Sequence, residues 1–383
     1  MEHELDQQLQ YLRAALQQDR RPLGLLIGAG APMAVRVGDQ PIIHDMAGLT
    51  KAVTEGLEGD DEEVVSSASN HLVQGGIAEP NLENLLDYLR TLAAVPGSEP
   101  IRGFTKAQLK KADLAVCAYV RRTLGVRLPE VHTPYNAVGV WARAAKRYAP
   151  VEVFTTNYDL LLEQAFEAEG VPFFDGFVGS HRPAFDLQAI EEDALPTRWV
   201  RLWKLHGSIN WQIARSGQVI RHPEPEESEG TLIYPSHLKY AESRRLPYLA
   251  LLDRLRAFLR QPSSVLVSCG FSYRDEHINE VVEQALRANP TAAVQALLYG
   301  PLEQYSEAVQ MAQRTPNLSL LAGDQGVVGL QQGTWRGGDT QDGAPATCDL
   351  GDFARLGALL TEVAGYRQPD ESPETSGPTG AQS

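Results

Sequence analysis

The sequence predicts an α/β protein: a doubly wound parallel sheet with a helical subdomain inserted after its first strand. Three observations predict it. Short apolar runs that end in glycine or polar turns recur along the chain, helical periodicities fall between several of them, and the block from 43 to 148 reads as helix almost throughout.

The elements follow in order. Leu5, Leu9, Leu12 and Leu16 recur at three- and four-residue intervals and form one face of a helix over 4–19, suited to the core or to a partner surface. "LGLLIGAGAP" then gives a buried strand, Leu23 to Ile27, that enters a tight turn. The stretches "LENLLDYLRTLAAV", "AQLKKADLAVCAYVRRTLGV" and "PYNAVGVWARAAKRY" are helical, and together they far exceed an ordinary crossover of about a dozen residues. Strands are expected at Val151–Thr155, Arg201–His206, Ser264–Cys269, Ala293–Tyr299 and Leu318–Ala322, with helices at Leu160–Glu169 and His277–Ala288. Residues 323–347, rich in Gly, Gln and Asp, read as a long surface loop before the short helix "GDFARLGALLTEV". The expected organisation is an N-terminal helix over 1–20, a main domain over 21–366 with its helical insertion at about 43–148, and a disordered tail over 367–383.

Composition excludes several classes. Lys+Arg 34 against Asp+Glu 49 leaves a net charge of −15, which opposes direct binding to nucleic acid or to an anionic membrane. Three cysteines, Cys117, Cys269 and Cys348, build neither a disulfide framework nor a four-thiolate zinc site. The start "MEHELDQQLQYLRAALQQ" lacks the basic, apolar make-up of a secretory signal, and no apolar run approaches the roughly 18 residues of a membrane span. A cytoplasmic protein is expected.

Four strand ends carry the residues suited to chemistry. In an open α/β sheet, ligands bind outside the carboxyl ends of the strands. The first end is Gly28-Ala29-Gly30-Ala31-Pro32, where bare glycines let a backbone approach a phosphate; glycine turns also serve packing alone. The third glycine of GxGxxG would fall at Met33, so this is no dehydrogenase fingerprint. The second is Thr156-Asn157-Tyr158-Asp159: Asn157 offers donor and acceptor, Asp159 acceptors only, and either residue also suits a helix start. The third is "RLWKLHGSINW", which delivers His206, the side chain titrating nearest neutrality, before Gly207 and Ser208, with Trp203 and Trp211 as flanking aromatic surface. The fourth is Gly270-Phe271-Ser272, followed by "YRDEH". There Ser272 suits a phosphate, a ribose hydroxyl or helix initiation, and Arg274, Asp275, Glu276 and His277 cannot all face a ligand. Asn157 and His206 are expected at exposed strand ends, away from the core.

Taken in order, Gly28-Ala29-Gly30, Thr156-Asn157-Tyr158-Asp159, Leu205-His206-Gly207-Ser208 and Gly270-Phe271-Ser272-Tyr273 resemble the sirtuin signature. The resemblance spans about residues 20–365. It is to the sirtuin-like NAD-consuming domains of bacterial antiphage systems, of the kind paired with a HerA-type ATPase or a short Argonaute. It implies a Rossmann-like NAD-binding domain with Gly28, Ala29, Gly30 and Ala31 as the phosphate loop and Thr156 beside it. It also implies that Asn157 orients water at the nicotinamide riboside and Asp159 holds the carboxamide region. His206 would act on the ribose hydroxyls or the attacking water, and Gly270, Phe271 and Ser272 would hold the adenosine half. Cys348-Asp349 resembles the loop beside the adenine. Pro32 stands where many sirtuins carry serine, and no Cys-x-x-Cys pair supplies a zinc ribbon.

The function so implied is NAD glycohydrolysis to nicotinamide and ADP-ribose, with NAD as substrate and no metal, serving antiphage defence by NAD depletion (abortive infection). A homo-oligomer controlled by a partner is implied with it. Protein deacylation, ADP-ribosyl transfer and non-catalytic sensing of NAD or ADP-ribose are the alternatives. This chain has no Walker loop, so any ATP dependence resides in a partner.

Overall fold

The computed structural model describes residues 1–144, 147–214, 216–222, 231–233, 247–337 and 346–365. Its frame is a ten-stranded sheet. From one edge the strands are Glu2–Glu4, Gln331–Arg336, Gln325–Val328, Leu318–Leu321, Ala293–Leu297, Val265–Cys269, Leu23–Ile27, Glu152–Thr155, Val200–Lys204 and Phe173–Phe174. Pairing is parallel from Leu318–Leu321 through to Phe173–Phe174, and antiparallel only around the Gln325–Val328 strand. The parallel α/β reading therefore holds.

Each strand runs apolar on both sides because both faces are covered. Leu25, Ile27, Val153, Leu202, Val265 and Val267 enter one core with the N-terminal helix and the inserted helices, whereas Leu26, Phe154, Trp203 and Leu266 enter a second core with the helices Tyr248–Arg260 and Glu276–Ala288. The period of two along a strand divides neighbouring residues between these cores.

The inserted block folds as five helices: Met46–Gly56, Asp60–Gln74, Leu82–Ala94, Lys106–Leu124 and Pro134–Ala144. Their starts are written in the sequence. Asn81 with Asn84 and Thr105 with Gln108 form reciprocal capping boxes, and the Asp45 side chain accepts from the Gly48 N–H. The N-terminal helix Leu5–Gln17 buries Leu5, Leu12 and Leu16, with Leu9 partly buried against the same core, so its leucine face is covered by its own chain rather than offered to a partner.

Three expectations are corrected. Residues 323–347 are not one loop: Gln325–Val328 and Gln331–Arg336 form a hairpin that extends the sheet, and Glu2–Glu4 adds a strand beyond it. A second, five-stranded sheet comprises Thr231–Ile233, Gly207–Ile213, Val219–Arg221, Ala184–Phe185 and Phe177–Val178. Trp203 and Trp211 form no aromatic surface, since both are buried; the Trp203 indole N–H donates to Glu152 at 2.7 Å. The expected tail 367–383 lies outside the described residues.

The topology fixes where the winding of the chain reverses. Leu23–Ile27 is flanked by Glu152–Thr155 on one side and Val265–Cys269 on the other, with Ile27 opposite both Thr155 and Cys269. The chain winds outward in opposite directions from the Leu23–Ile27 strand, which makes the carboxyl ends of these strands the topological switch point of the sheet.

Candidate functional site

Two glycine turns meet at this switch point. Gly28 N–H donates to the Cys269 carbonyl at 3.0 Å, Gly30 N–H to the Gly270 carbonyl at 2.9 Å, and Ala31 N–H to the Gly28 carbonyl at 3.0 Å. A Cβ on Gly28 would lie 2.3 Å from the Gly270 carbonyl oxygen. One on Gly270, whose φ is +70°, would lie 2.5 Å from the Ala31 nitrogen. Both residues must therefore be glycine for the two turns to interlock. The same bonds engage three of the four N–H groups expected to face a phosphate, so here the glycines act first through close approach.

Beside them, the Glu152–Thr155 strand ends in the polar tetrad. The Thr155 hydroxyl donates to the Ile27 carbonyl and accepts from the Asn157 N–H, which holds the tetrad against the first strand. Thr156 is half-buried, its N–H turned to the Ile27 carbonyl. Asn157 is not at an exposed end as expected: it is 7% exposed, and both amide atoms of its side chain are buried without a hydrogen-bond partner. Next to it lies the phenol of Tyr135, fully buried on the Pro134–Ala144 helix; it faces the Asn157 amide, and neither group has a hydrogen-bond partner elsewhere among the described residues. Burial, and then the nearby Asp159 and Cys269, push this phenol well above its ordinary pKa, so it stays a neutral donor. Sequence reasoning missed Tyr135, which reads there as one apolar residue of a helix.

Asp159 is also buried. Its carboxylate accepts from the Leu161 N–H at 3.0 Å, starting the Leu161–Ala168 helix, and its carbonyl accepts from the Lys204 ammonium, which also donates to Glu163 at 2.9 Å. Burial raises the Asp159 pKa, and Lys204 opposes the rise. The helix-start reading of Asp159 is thus realised in the geometry.

His206 sits at the corner where the Val200–Lys204 strand leaves the main sheet and Gly207, at φ +96°, turns the chain into the second. Its Nε2 lies 2.9 Å from the Asp275 carboxylate. Asp275 is the second residue sequence reasoning left unassigned. With one oxygen it accepts from the His277 and Ile278 N–H groups, capping the Glu276–Ala288 helix, and with the other it meets His206. The signal was present in "YRDEH", a carboxylate in the first turn of a helix that follows a strand end. A carboxylate only accepts, so Nε2 is the donor in this pairing.

On the far side, Phe271 is buried, and Ser272 is exposed and does not cap the helix, a task that falls to Asp275. The Cys348 segment crosses the strand ends here. The Cys269 thiol donates to the Gly351 carbonyl at 3.5 Å, and a Cβ on Gly351 would lie 2.1 Å from the Leu298 carbonyl oxygen. Cys348 is buried, its thiol pKa raised by burial, while Asp349 is exposed and paired with Arg355 at 3.0 Å. Glycine turns, tetrad and histidine follow the carboxyl ends of the parallel strands, and the Cys348 loop packs against these ends.

The set comprises a carboxamide, a phenol and an imidazole backed by a carboxylate. It can orient a neutral nucleophile and take up its proton. Among the described residues no group of three or more His, Cys, Asp and Glu is arranged to hold a metal ion, and no helix is long and apolar enough to cross a membrane.

No curated protein matches the chain. Among the solved structures that resemble it, two at low identity are these. One, described as the structural basis for the mechanism and regulation of Sir2 enzymes, is 12% identical over 94% of this chain and 96% of the other, with a TM-score of 0.41. The other, a Sir2 homolog–NAD complex, is 14% identical over 93% and 94%, with a TM-score of 0.40. Residues 151–318 match the family model described as a SIR2-like domain, a segment that contains Asn157, His206, Gly270 and Asp275.

Proposed function

We propose that this protein is an NAD glycohydrolase, releasing nicotinamide and ADP-ribose. The observation that carries the reading is the unpartnered, buried Asn157 carboxamide at the same sheet edge as the Asp275-held His206 imidazole. A protein leaves a buried amide unsatisfied where a ligand completes it. The SIR2-like match over residues 151–318 supports NAD as that ligand.

In this reading the bond between the anomeric carbon and the pyridinium nitrogen breaks, and its electron pair stays on nicotinamide, which departs neutral. The leaving group needs no proton from the protein. Asn157 positions water at the anomeric carbon, and the new carbon–oxygen bond releases a proton that His206 accepts while Asp275 steadies the imidazolium. Tyr135 offers Asn157 a neutral neighbour that cannot compete as a charge. The turns at Gly28–Ala31 and Gly270–Ser272 back the dinucleotide, with Cys348 and Asp349 toward the adenine.

The wider proposal follows the sequence resemblance: a cytoplasmic effector of antiphage defence by NAD depletion, working as a homo-oligomer under a HerA-type ATPase or short Argonaute partner. Incubation of purified protein with NAD, with and without an acetylated peptide, tests the chemistry. Release of free nicotinamide and ADP-ribose without peptide is expected. Release only with peptide would make the enzyme a deacylase, and binding without release a sensor.

A further inference from the structure

At the opposite end of the sheet a cavity of about 570 Å³ opens against the amino ends of two strands whose carboxyl ends carry Asn157 and His206. Its wall includes Val151, just before the Glu152–Thr155 strand, and Val200, the first residue of the Val200–Lys204 strand. Three guanidiniums, Arg143, Arg147 and Arg198, line it, and none of its lining residues is a carboxylate. In a chain of net charge −15 this is a local reversal of sign.

The three arginines are unequally engaged. Arg143 donates to the Glu169 carbonyl at 2.5 Å, with the Glu169 carboxylate 3.7 Å away. Arg147 donates to the Gln18 carbonyl at 2.6 Å and stacks over the Trp141 ring at 4.8 Å, which leaves its buried Nε without a partner. Arg198 is exposed and makes no hydrogen bond or ion pair among the described residues. The Trp199 indole N–H, also at this cavity, is buried and unpartnered. Two buried donors without acceptors and one unpaired cation belong to residues that line this one cavity, and nothing among the described residues accepts from them. Such donors call for an anion, and a planar guanidinium fork matches phosphate.

The volume exceeds what a lone phosphate fills, and apart from Thr197 the rest of the wall, with Val151, Val200 and the Trp199 ring, is apolar. We propose that this cavity binds a nucleoside phosphate, the phosphate meeting Arg143, Arg147 and Arg198 and the nucleoside lying against Trp199. It is separate from the glycine-turn site, at the other end of the same two strands, and does not depend on the reaction proposed there.

Calorimetric titration of the full chain with AMP and ADP, with inorganic phosphate and adenosine as comparison arms, tests this. AMP or ADP should bind more tightly than either comparison ligand, with an affinity that falls as salt rises. Arg198→Glu, at an exposed residue with no bonds to lose, should leave the melting temperature unchanged and weaken that binding about tenfold or more; Arg198→Lys should lose less. A second class of binding at the glycine-turn site would appear as extra stoichiometry that Arg198→Glu leaves intact. Equal AMP and ADP affinities in wild type and Arg198→Glu, or no binding of either nucleotide, would overturn the assignment. Phosphate binding as tightly as AMP would overturn the nucleoside half of it.

Discussion

Replacing Asn157 by alanine should remove activity without removing stability, and a second buried asparagine provides the control. Asn157 and Asn136 are both buried, yet they differ in their partners. The Asn136 side-chain oxygen accepts from the Thr133 N–H at 3.0 Å and the Thr133 hydroxyl at 2.6 Å, and its amide nitrogen donates to Glu169 at 3.1 Å. Asn157 has none of this. An unsatisfied buried polar group costs about 1–3 kcal/mol, and truncation to alanine relieves that while forfeiting packing on the order of 1 kcal/mol. Asn157→Ala should therefore be neutral or up to about 2 kcal/mol more stable. Asn136→Ala loses a helix start together with a buried network and should be destabilised by about 2 kcal/mol.

Urea denaturation read through the midpoint at constant slope separates the two variants. Nicotinamide release from NAD supplies the second readout, in which Asn157→Ala should fall by about 10²–10⁴. Tyr135→Phe, which deletes the neighbouring orphaned hydroxyl, should likewise keep or gain stability. The reasoning fails if Asn157→Ala is destabilised as much as Asn136→Ala, because the carboxamide would then be serving the fold. It fails also if that variant turns over NAD at the wild-type rate.

Three further outcomes are expected. Asp275→Asn retains an acceptor for the His277 and Ile278 N–H groups but loses the charge facing His206, so turnover should drop by about 10² or more with little change in melting temperature, and unchanged turnover would dissociate the pair from the chemistry. Gly28→Ala places a Cβ 2.3 Å from the Gly270 carbonyl oxygen and should destabilise by about 1–3 kcal/mol in the same denaturation assay; an unshifted midpoint would show that the turns can separate. Burial pushes the Cys117 and Cys269 thiols up to about 12, so at pH 8 both remain protonated and should resist a thiol reagent until the protein is unfolded; rapid labelling of the native protein at either would contradict that burial.

The parallel strands were legible in the sequence because each is a run of apolar residues, buried on both faces, that ends in a glycine or polar turn. Val265–Cys269 and Leu23–Ile27 are such runs. The second sheet was not legible, since Phe177–Val178 and Ala184–Phe185 are two residues each, too short to display a period. The hairpin partner "QQGTWR" buries only Gly333 and Trp335, so composition alone assigned it to a loop. At the site, residue types were readable and juxtapositions were not. Nothing in "PYNAVGVWARAAKRY" says that its tyrosine reaches Asn157, because that contact depends on how an inserted helix docks on the sheet. Asp275 could be placed on a first helical turn, but only the packing of that helix selects it from Arg274, Glu276 and His277 as the partner of His206.

Buried polar groups along the sheet are satisfied unevenly: Arg147 and Trp199 keep orphaned donors at the amino-end cavity, while other groups near them are fully partnered. Toward the amino ends, Arg201 is buried with Asp193 at 2.7 Å and the carbonyls of Leu195, Pro196 and Trp199, and Glu152 accepts from Trp203 with Arg254 3.6 Å away. Even a charge is tolerable in the interior when it is partnered in this way. Toward the carboxyl ends, the Asn157 amide and the Tyr135 hydroxyl are left without partners, and Tyr273, directly after the Gly270 turn, is held at φ +60°. A left-handed non-glycine residue costs about 1–2 kcal/mol, and each orphaned group adds about 1–3 kcal/mol. The same chain that satisfies Arg201 leaves these groups unsatisfied within one cluster of turns. Selection for stability alone would favour apolar residues in place of Asn157 and Tyr135, and the proposed NAD site gives these orphaned groups a role that stability does not.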